Sequence, residues 1–256
     1  MSAKRWLVVN ADDFGHSSAV NRGVIHAHDH GIVTSASLMV RWPAAVEAAE
    51  YARNRPGLSL GLHLDFGEWV YKDKDWKPVY HVVQLDDARA LCNEVSSQLA
   101  SFRTLTGRDP SHIDSHQHAH LREPARSVVL EAALEVRAPV RDCDPEIHYC
   151  GHFYGQTEEG SPYAEGITSD TLIQIMSQLP PGITELACHP GKGQVPNTTY
   201  SDERAKELKT LCNLKVRSAL IELGIELCGF IAFTGLFPSA EIGSTAQWAC
   251  KTHSIG

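Results

Sequence analysis

The sequence predicts an α/β fold, a (β/α) barrel of parallel strands with helices outside. Three observations lead there. Strand-like and helix-like segments alternate through all 256 residues, and such alternation gives parallel strands joined by crossover helices. About seven strand–helix units can be counted, which favours a closed or nearly closed barrel over an open sheet. Polar residues gather just after several of the strands, the side on which α/β folds bind ligands. No domain boundary, internal repeat or low-complexity run interrupts the pattern. Residues 1–238 therefore read as a single barrel domain and 239–256 as a polar tail that frays.

The elements follow in order. Leu7-Val8-Val9 reads as a buried strand running into Asn10-Ala11-Asp12-Asp13-Phe14-Gly15. Ser17 or Ser18 can cap a helix carrying Val20, Val24 and Ala27, which Gly31 closes. Residues 32–40 are strand-like. Pro43 opens an alanine-rich helix that stops before Pro56. Leu58-Ser59-Leu60-Gly61-Leu62-His63-Leu64 alternates like a strand. Residues 66–85 are aromatic, charged and irregular, and read as a long loop. A helix follows over 86–105, then a short strand end at His112-Ile113-Asp114. Residues 123–136 form a helix and Pro139-Val140-Arg141 a strand. Residues 142–168 read as a second irregular stretch. Ser169 caps a helix ended by Pro180-Pro181. Residues 184–188 form a strand ending in His189-Pro190-Gly191, residues 202–223 a helix, and 225–233 a last strand. Both long loops follow strands, so they should lie over one face, where a substrate would bind.

Bulk properties bound the function. The chain is 43% hydrophobic and 21% charged, enough apolar residue for a proper core. Its net charge of -8 argues against nucleic acid or an anionic membrane surface as main partner. No apolar run approaches the length of a membrane span. The apolar stretch after Lys4 and Arg5 is short and ends in acid, unlike a secretory signal. Seven cysteines form no CxxC pair and no regular framework, which suits a reducing cytoplasm.

Two adjacent carboxylates at the end of a buried strand are poorly hydrated and repel each other, so Asp12 and Asp13 need a cation or a proton. On this segment alone, one aspartate could instead cap the next helix while the other is solvated. Other strand ends supply His63 and Asp65, His189, and the cluster His112-Ile113-Asp114-Ser115-His116-Gln117-His118-Ala119-His120. Four histidines in nine residues stand well above composition, although only one or two could be ligands. The rest can line a pocket, orient neighbours or face solvent. His63 alone could be a satisfied core histidine, and His189 before Pro-Gly a turn residue. Together, one Asp and two His make a complete ligand set for a catalytic divalent metal, with a position left open for water. A metal so held lowers the pKa of water from ~15.7 toward ~7 and polarises a carbonyl. A non-ligating carboxylate could take a proton and a histidine opposite could protonate a leaving group. Successive side chains on a regular strand point oppositely, so Asp12 and Asp13 can share a site only where the strand breaks.

These stretches resemble the YdjC-like carbohydrate deacetylase family, which includes chitooligosaccharide deacetylases. The matching segments are Val9-Asn10-Ala11-Asp12-Asp13-Phe14-Gly15, Gly31-Ile32-Val33-Thr34-Ser35, Gly61-Leu62-His63-Leu64, His112-Ile113-Asp114-Ser115-His116-Gln117-His118, His152-Phe153-Tyr154-Gly155 and Cys188-His189-Pro190-Gly191. The resemblance implies a barrel related to the polysaccharide deacetylases and metal-dependent removal of acetyl from an N-acetylglucosamine-type sugar or short oligosaccharide. It implies Asp13, His63 and His116 as metal ligands, Asp12 as base and His189 as general acid. By looser analogy, Arg141 pairs with the base. It implies magnesium, whereas the Asp-His-His ligands themselves suit zinc, cobalt or manganese, magnesium being the less natural choice for imidazole. It also implies a homodimer. Trp69, Tyr71, His118, Phe153 and Tyr154 are candidates for the sugar site, and Trp76 for packing on a sugar ring; the aromatics could equally pin the loops. The segment after His63 departs from the family's usual Thr-Gly-Pro-like run and reads Leu64-Asp65-Phe66-Gly67-Glu68-Trp69-Val70-Tyr71, so the loop shaping the sugar site is individual. The competing readings are another metallohydrolase, such as a phosphoesterase using Arg41, Arg141 or Lys192, and a non-catalytic sugar-binding or regulatory protein.

Overall fold

A computed structural model describes residues 4–195, 198 and 200–233. The strands are β1 (Arg5–Phe14), β2 (Ser35–Leu38), β3 (Ser59–Leu64), β4 (Gly67–Lys72), β5 (Asp75–His81), β6 (Ile113–Ser115), β7 (Ile147–Cys150), β8 (Gly182–Cys188) and β9 (Ile225–Leu227). The helices are α1 (Ser18–His30), α2 (Ala45–Arg53), α3 (Ala88–Thr106), α4 (Ala125–Val136), α5 (Ser169–Ser177), α6 (Asp202–Leu211) and α7 (Leu214–Glu222).

Seven strands form one parallel sheet in the order β6-β3-β2-β1-β8-β7, with β9 paired to the start of β1. The sheet curls into a half-barrel rather than a closed one. Its gap lies between β6 and β7. There the expected strand at residues 139–141 shrinks to one bridge between Ile113 and Val140. Pro139 has no N–H to extend the ladder, and Asp142 turns the chain away at φ 54. The central strand β1 is buried over its last eight residues, as a strand covered on both faces must be.

The last turn of β1 holds a bulge. Ala11 pairs with Ala36 and Phe14 with Leu38, so three steps of β1 oppose two of β2. Asp13 takes φ 63 inside it. The extra residue cancels the alternation that would send Asp12 and Asp13 to opposite faces. Asn21 on α1 fixes the break by accepting the Gly15 N–H at 2.8 Å and donating to Ala44 O at 2.9 Å. Gly15 itself sits at φ 92, where a Cβ would lie 2.9 Å from Leu38 Cδ1.

Several local expectations need correction. Residues 66–85 are not wholly irregular: β4 and β5 pair as an antiparallel hairpin. Its two-residue turn, Asp73-Lys74, has φ 56 and 63, the left-handed pair of a hairpin turn without its usual glycine. Strand β7 emerges from the stretch read as irregular, because only four residues pair with β8. The helix expected over 202–223 breaks at Asn213, whose side chain caps α7 by accepting the Lys215 N–H at 2.9 Å. Thr168, not Ser169, caps α5. The last strand stops at Leu227 and passes into a 3₁₀ turn at Phe230–Phe233. The expected tail, 239–256, lies outside the described residues.

Candidate active site

Asp13, His63 and His116 come together at the C-terminal ends of β1, β3 and β6. Asp13 Oδ1 stands 3.3 Å from His63 Nε2 and 3.1 Å from His116 Nδ1. One donor atom from each lies within 4.8 Å of the others. His63 is oriented from behind: its Nδ1–H donates to Asp114 Oδ1 at 2.8 Å. That bond fixes the tautomer that points Nε2 at Asp13, the arrangement usual for a metal histidine. His116 Nε2 is buried without a hydrogen-bond partner.

The site is densely charged. Asp12, Asp13, Asp114, Glu185 and Glu207 are buried around two buried guanidiniums, Arg141 and Arg204. Burial pushes Glu185 up to about 7 and Glu207 up to about 8. Burial would raise the other three as well, but the nearby guanidinium and histidine charges outweigh it and hold them below the usual carboxylate range. The His63 ring is disfavoured as a cation by burial, yet Asp114 outweighs this and raises it to about 10. Residues Asp13, His63 and His116 fit a divalent ion in donor type and spacing.

Asp12 is locked beside this cluster. Arg141 grips both its oxygens, Nη1 to Oδ2 at 2.6 Å and Nη2 to Oδ1 at 2.7 Å. Asn10 Nδ2 donates to Oδ1 at 2.9 Å. Arg141 also meets Asp114 Oδ2 and Glu185 Oε1 at 2.7 Å each, and its side chain is fully buried. His120 supports it from the backbone side, with Nε2 3.1 Å from Arg141 O and Nδ1 2.7 Å from Ser115 Oγ.

His189 closes the opposite side. Its Nε2 lies 3.8 Å from Asp12 Oδ2 and its Nδ1 3.9 Å from Glu207 Oε1. Glu207 accepts hydrogen bonds from the His189 N–H and the Tyr200 hydroxyl. Burial lowers His189 to about 4. Tyr154 stands edge-on to the His189 ring at 5.4 Å and stacks on Tyr200 at 4.7 Å.

The remaining expected residues divide. Tyr154 is 36% exposed beside His189 and can meet a substrate. Trp69 and Tyr71 sit half-buried on β4, while Trp76, on β5, is exposed and packs on Tyr71. His118 is half-buried, with Nε2 3.2 Å from Tyr149 Oη. Phe153 is 1% exposed in the core, so it pins its loop and cannot stack on a sugar. His112 is structural: it stacks on Phe230 at 4.0 Å and meets Ser37 Oγ at 3.0 Å. Asp65 anchors the hairpin, accepting from Gly67 N at 3.1 Å and Tyr80 Oη at 3.0 Å.

Sequence reasoning missed Arg204, Glu207 and Glu185. Arg204 Nη2 donates to Asp13 Oδ2 at 2.6 Å. The signal was present: Arg204 and Glu207 share a helix face with buried Leu208 and Leu211, and Glu185 interrupts a buried strand. Charges at core-facing positions mark a buried network.

The pattern that defines YdjC-like proteins matches residues 6–222. The chain belongs to the YdjC-like family. A carbohydrate deacetylase of Geobacillus stearothermophilus is 32% identical to this YdjC-like protein over 248 residues, covering 90% of this chain and 98% of its own. A chitooligosaccharide deacetylase of Serratia marcescens is 29% identical over 263 residues, covering 89% and 98%. A crystal structure from Enterococcus faecalis V583, assigned by name to cellobiose-phosphate cleavage, matches with TM-score 0.74 and 26% identity over 90% of this chain and 99% of that one. A family 4 carbohydrate esterase from Streptomyces lividans, solved with acetate, shares the fold at TM-score 0.51 and 14% identity, covering 89% and 93%. Among the described residues no helix is long and apolar enough to cross a membrane.

Proposed function

We propose that this YdjC-like protein is a metal-dependent carbohydrate deacetylase that hydrolyses the N-acetyl group of an N-acetylglucosamine-type sugar or short oligosaccharide. One observation carries the reading: a three-ligand Asp13/His63/His116 cluster borders an arginine-held carboxylate, Asp12, which faces His189 across 3.8 Å. The names of the Geobacillus and Serratia relatives support the substrate class.

Asp13, His63 and His116 would hold the ion, which when bound acidifies water and polarises the acetyl carbonyl. Asp12 takes a proton from the attacking water, and Arg141 keeps its carboxylate ionised and aimed. His189 is neutral at the outset. The proton that Asp12 removes lies within reach of His189 Nε2, which delivers it to the departing nitrogen as the C–N bond breaks. Acetate and a free amine result. Tyr154, Trp69, Tyr71 and His118 border the approach and would contact the sugar. Magnesium follows from the family resemblance, while two imidazoles suit zinc, cobalt or manganese. A homodimer and a cytoplasmic location belong to the same reading, as does a single domain over residues 1–238.

The phosphoesterase alternative finds little support. Arg141 is saturated by three carboxylates, Arg41 pairs with Glu94 at 3.0 Å, and Lys192 is exposed. The test is acetate release from N-acetylated mono- and oligosaccharides after chelation and return of Mg, Mn, Co or Zn. Metal-dependent acetate release is expected. Its absence with every sugar, from protein shown to bind metal, would overturn the reading.

A further inference from the structure

His63 and His116 are not equally supported. His63 has Asp114 behind it, whereas His116 presents Nδ1 to Asp13 and leaves Nε2 buried and unbonded. A histidine that binds metal through one ring nitrogen carries its proton on the other, and that proton needs an acceptor. The acidic atom facing His116 Nε2 is Glu68 Oε2, 4.0 Å away. This gap is about 1 Å beyond a hydrogen bond, within reach of a side-chain torsion.

Glu68 comes from the hairpin, not the barrel. It sits on β4, and its side chain is 15% exposed. The hairpin is clamped beside the ligand it serves. Gln117, the residue after His116, accepts the Trp69 N–H at 2.8 Å and donates to Trp69 O at 2.7 Å. Gln117 holds φ 52 to do so. One residue therefore follows the metal histidine and fixes the backbone next to Glu68.

We propose that Glu68 is a positioning residue, the carboxylate partner of His116, through which the hairpin over the sugar site also sets metal affinity. The inference rests on the metal reading above. It makes His63–Asp114 and His116–Glu68 parallel pairs, one built into the barrel and one delivered by the covering hairpin.

Cobalt binding to metal-stripped protein, followed by calorimetry and by the visible absorption of bound cobalt, tests this without an activity assay. Loss of an outer partner typically weakens metal binding 10–100-fold. Glu68→Ala should lose about tenfold on that scale, and Glu68→Gln, which keeps an acceptor oxygen, should lose less. Trp76→Ala, in the same hairpin and exposed, should bind cobalt as wild type does. Gln117→Ala should weaken binding, and its effect should not add to that of Glu68→Ala. Wild-type affinity in Glu68→Ala, alongside lost affinity in His63→Ala, would overturn the role of Glu68 and leave the metal centre standing. Equal losses in Trp76→Ala and Glu68→Ala would overturn it in favour of hairpin integrity. Unchanged binding in His63→Ala would overturn the metal centre itself. Melting curves of each variant confirm that it is folded.

Discussion

Asp114 accepts the His63 Nδ1–H at 2.8 Å with one oxygen and meets Arg141 Nη2 at 2.7 Å with the other. A single carboxylate thus sets the ring of His63, a metal ligand on the proposed reading, and the guanidinium that grips Asp12. On the proposed reading, Asp114 ties metal binding to proton transfer. Asp114→Asn should weaken cobalt binding 10–100-fold and also lower the rate at saturating metal. Calorimetry and acetate release at high metal separate the two effects. Wild-type affinity in this variant would break the link.

The two neighbouring aspartates should respond differently. Asp12→Asn should keep the metal and lose about 10²–10⁴ in rate, the range for a general base. Asp13→Asn should lose the metal. Equilibrium dialysis with acetate assays decides, and the reverse result would exchange the two assignments.

Arg141 pairs with three buried carboxylates at once. Arg141→Met should destabilise the protein by on the order of 3–5 kcal/mol, because it strands buried charge. Urea unfolding measures this. A loss under ~1 kcal/mol would mean that the carboxylates simply take up protons.

His189→Ala should retain metal and lose rate on N-acetyl sugars by about 10²–10⁴. An activated aryl acetate has a leaving group that needs no proton, so its hydrolysis should suffer far less. Equal losses on both substrates would remove His189 from the acid role.

Glu207 sets a pH dependence of stability. Burial raises it from 4.5 to about 8 in the fold. Between those values the folded chain holds a proton that the unfolded chain releases, so this contribution is complete below 4.5 and fades as pH rises through 8. In metal-stripped protein, Glu207→Gln should flatten the fall in Tm across that window. A Tm profile parallel to wild type would refute the shift.

Much of the site was legible because its parts are local. Asp12-Asp13 and His63 each follow an apolar run that reads as a buried strand, and the His116 cluster stands out by four histidines in nine residues. What was not legible depended on other segments. The hairpin turn uses Asp73-Lys74, whose left-handed backbone has no sequence signature of its own. Strand β7 is defined by its pairing with β8 rather than by its four residues. Phe153 lies in a matching motif, yet its place in the core follows from packing that no local pattern reveals. Arg204 was hidden in a charged helix whose buried face only the fold exposes.

The bulge in β1 makes the chemistry depend on counting. Three steps of one strand against two of its neighbour put adjacent carboxylates on the same side. Deleting one residue there would restore even pairing while leaving the other strands of the half-barrel in place. One aspartate would then turn away, leaving either an ion without a base or a base without an ion. A single-codon loss could therefore convert this enzyme into a folded protein with half a reaction centre.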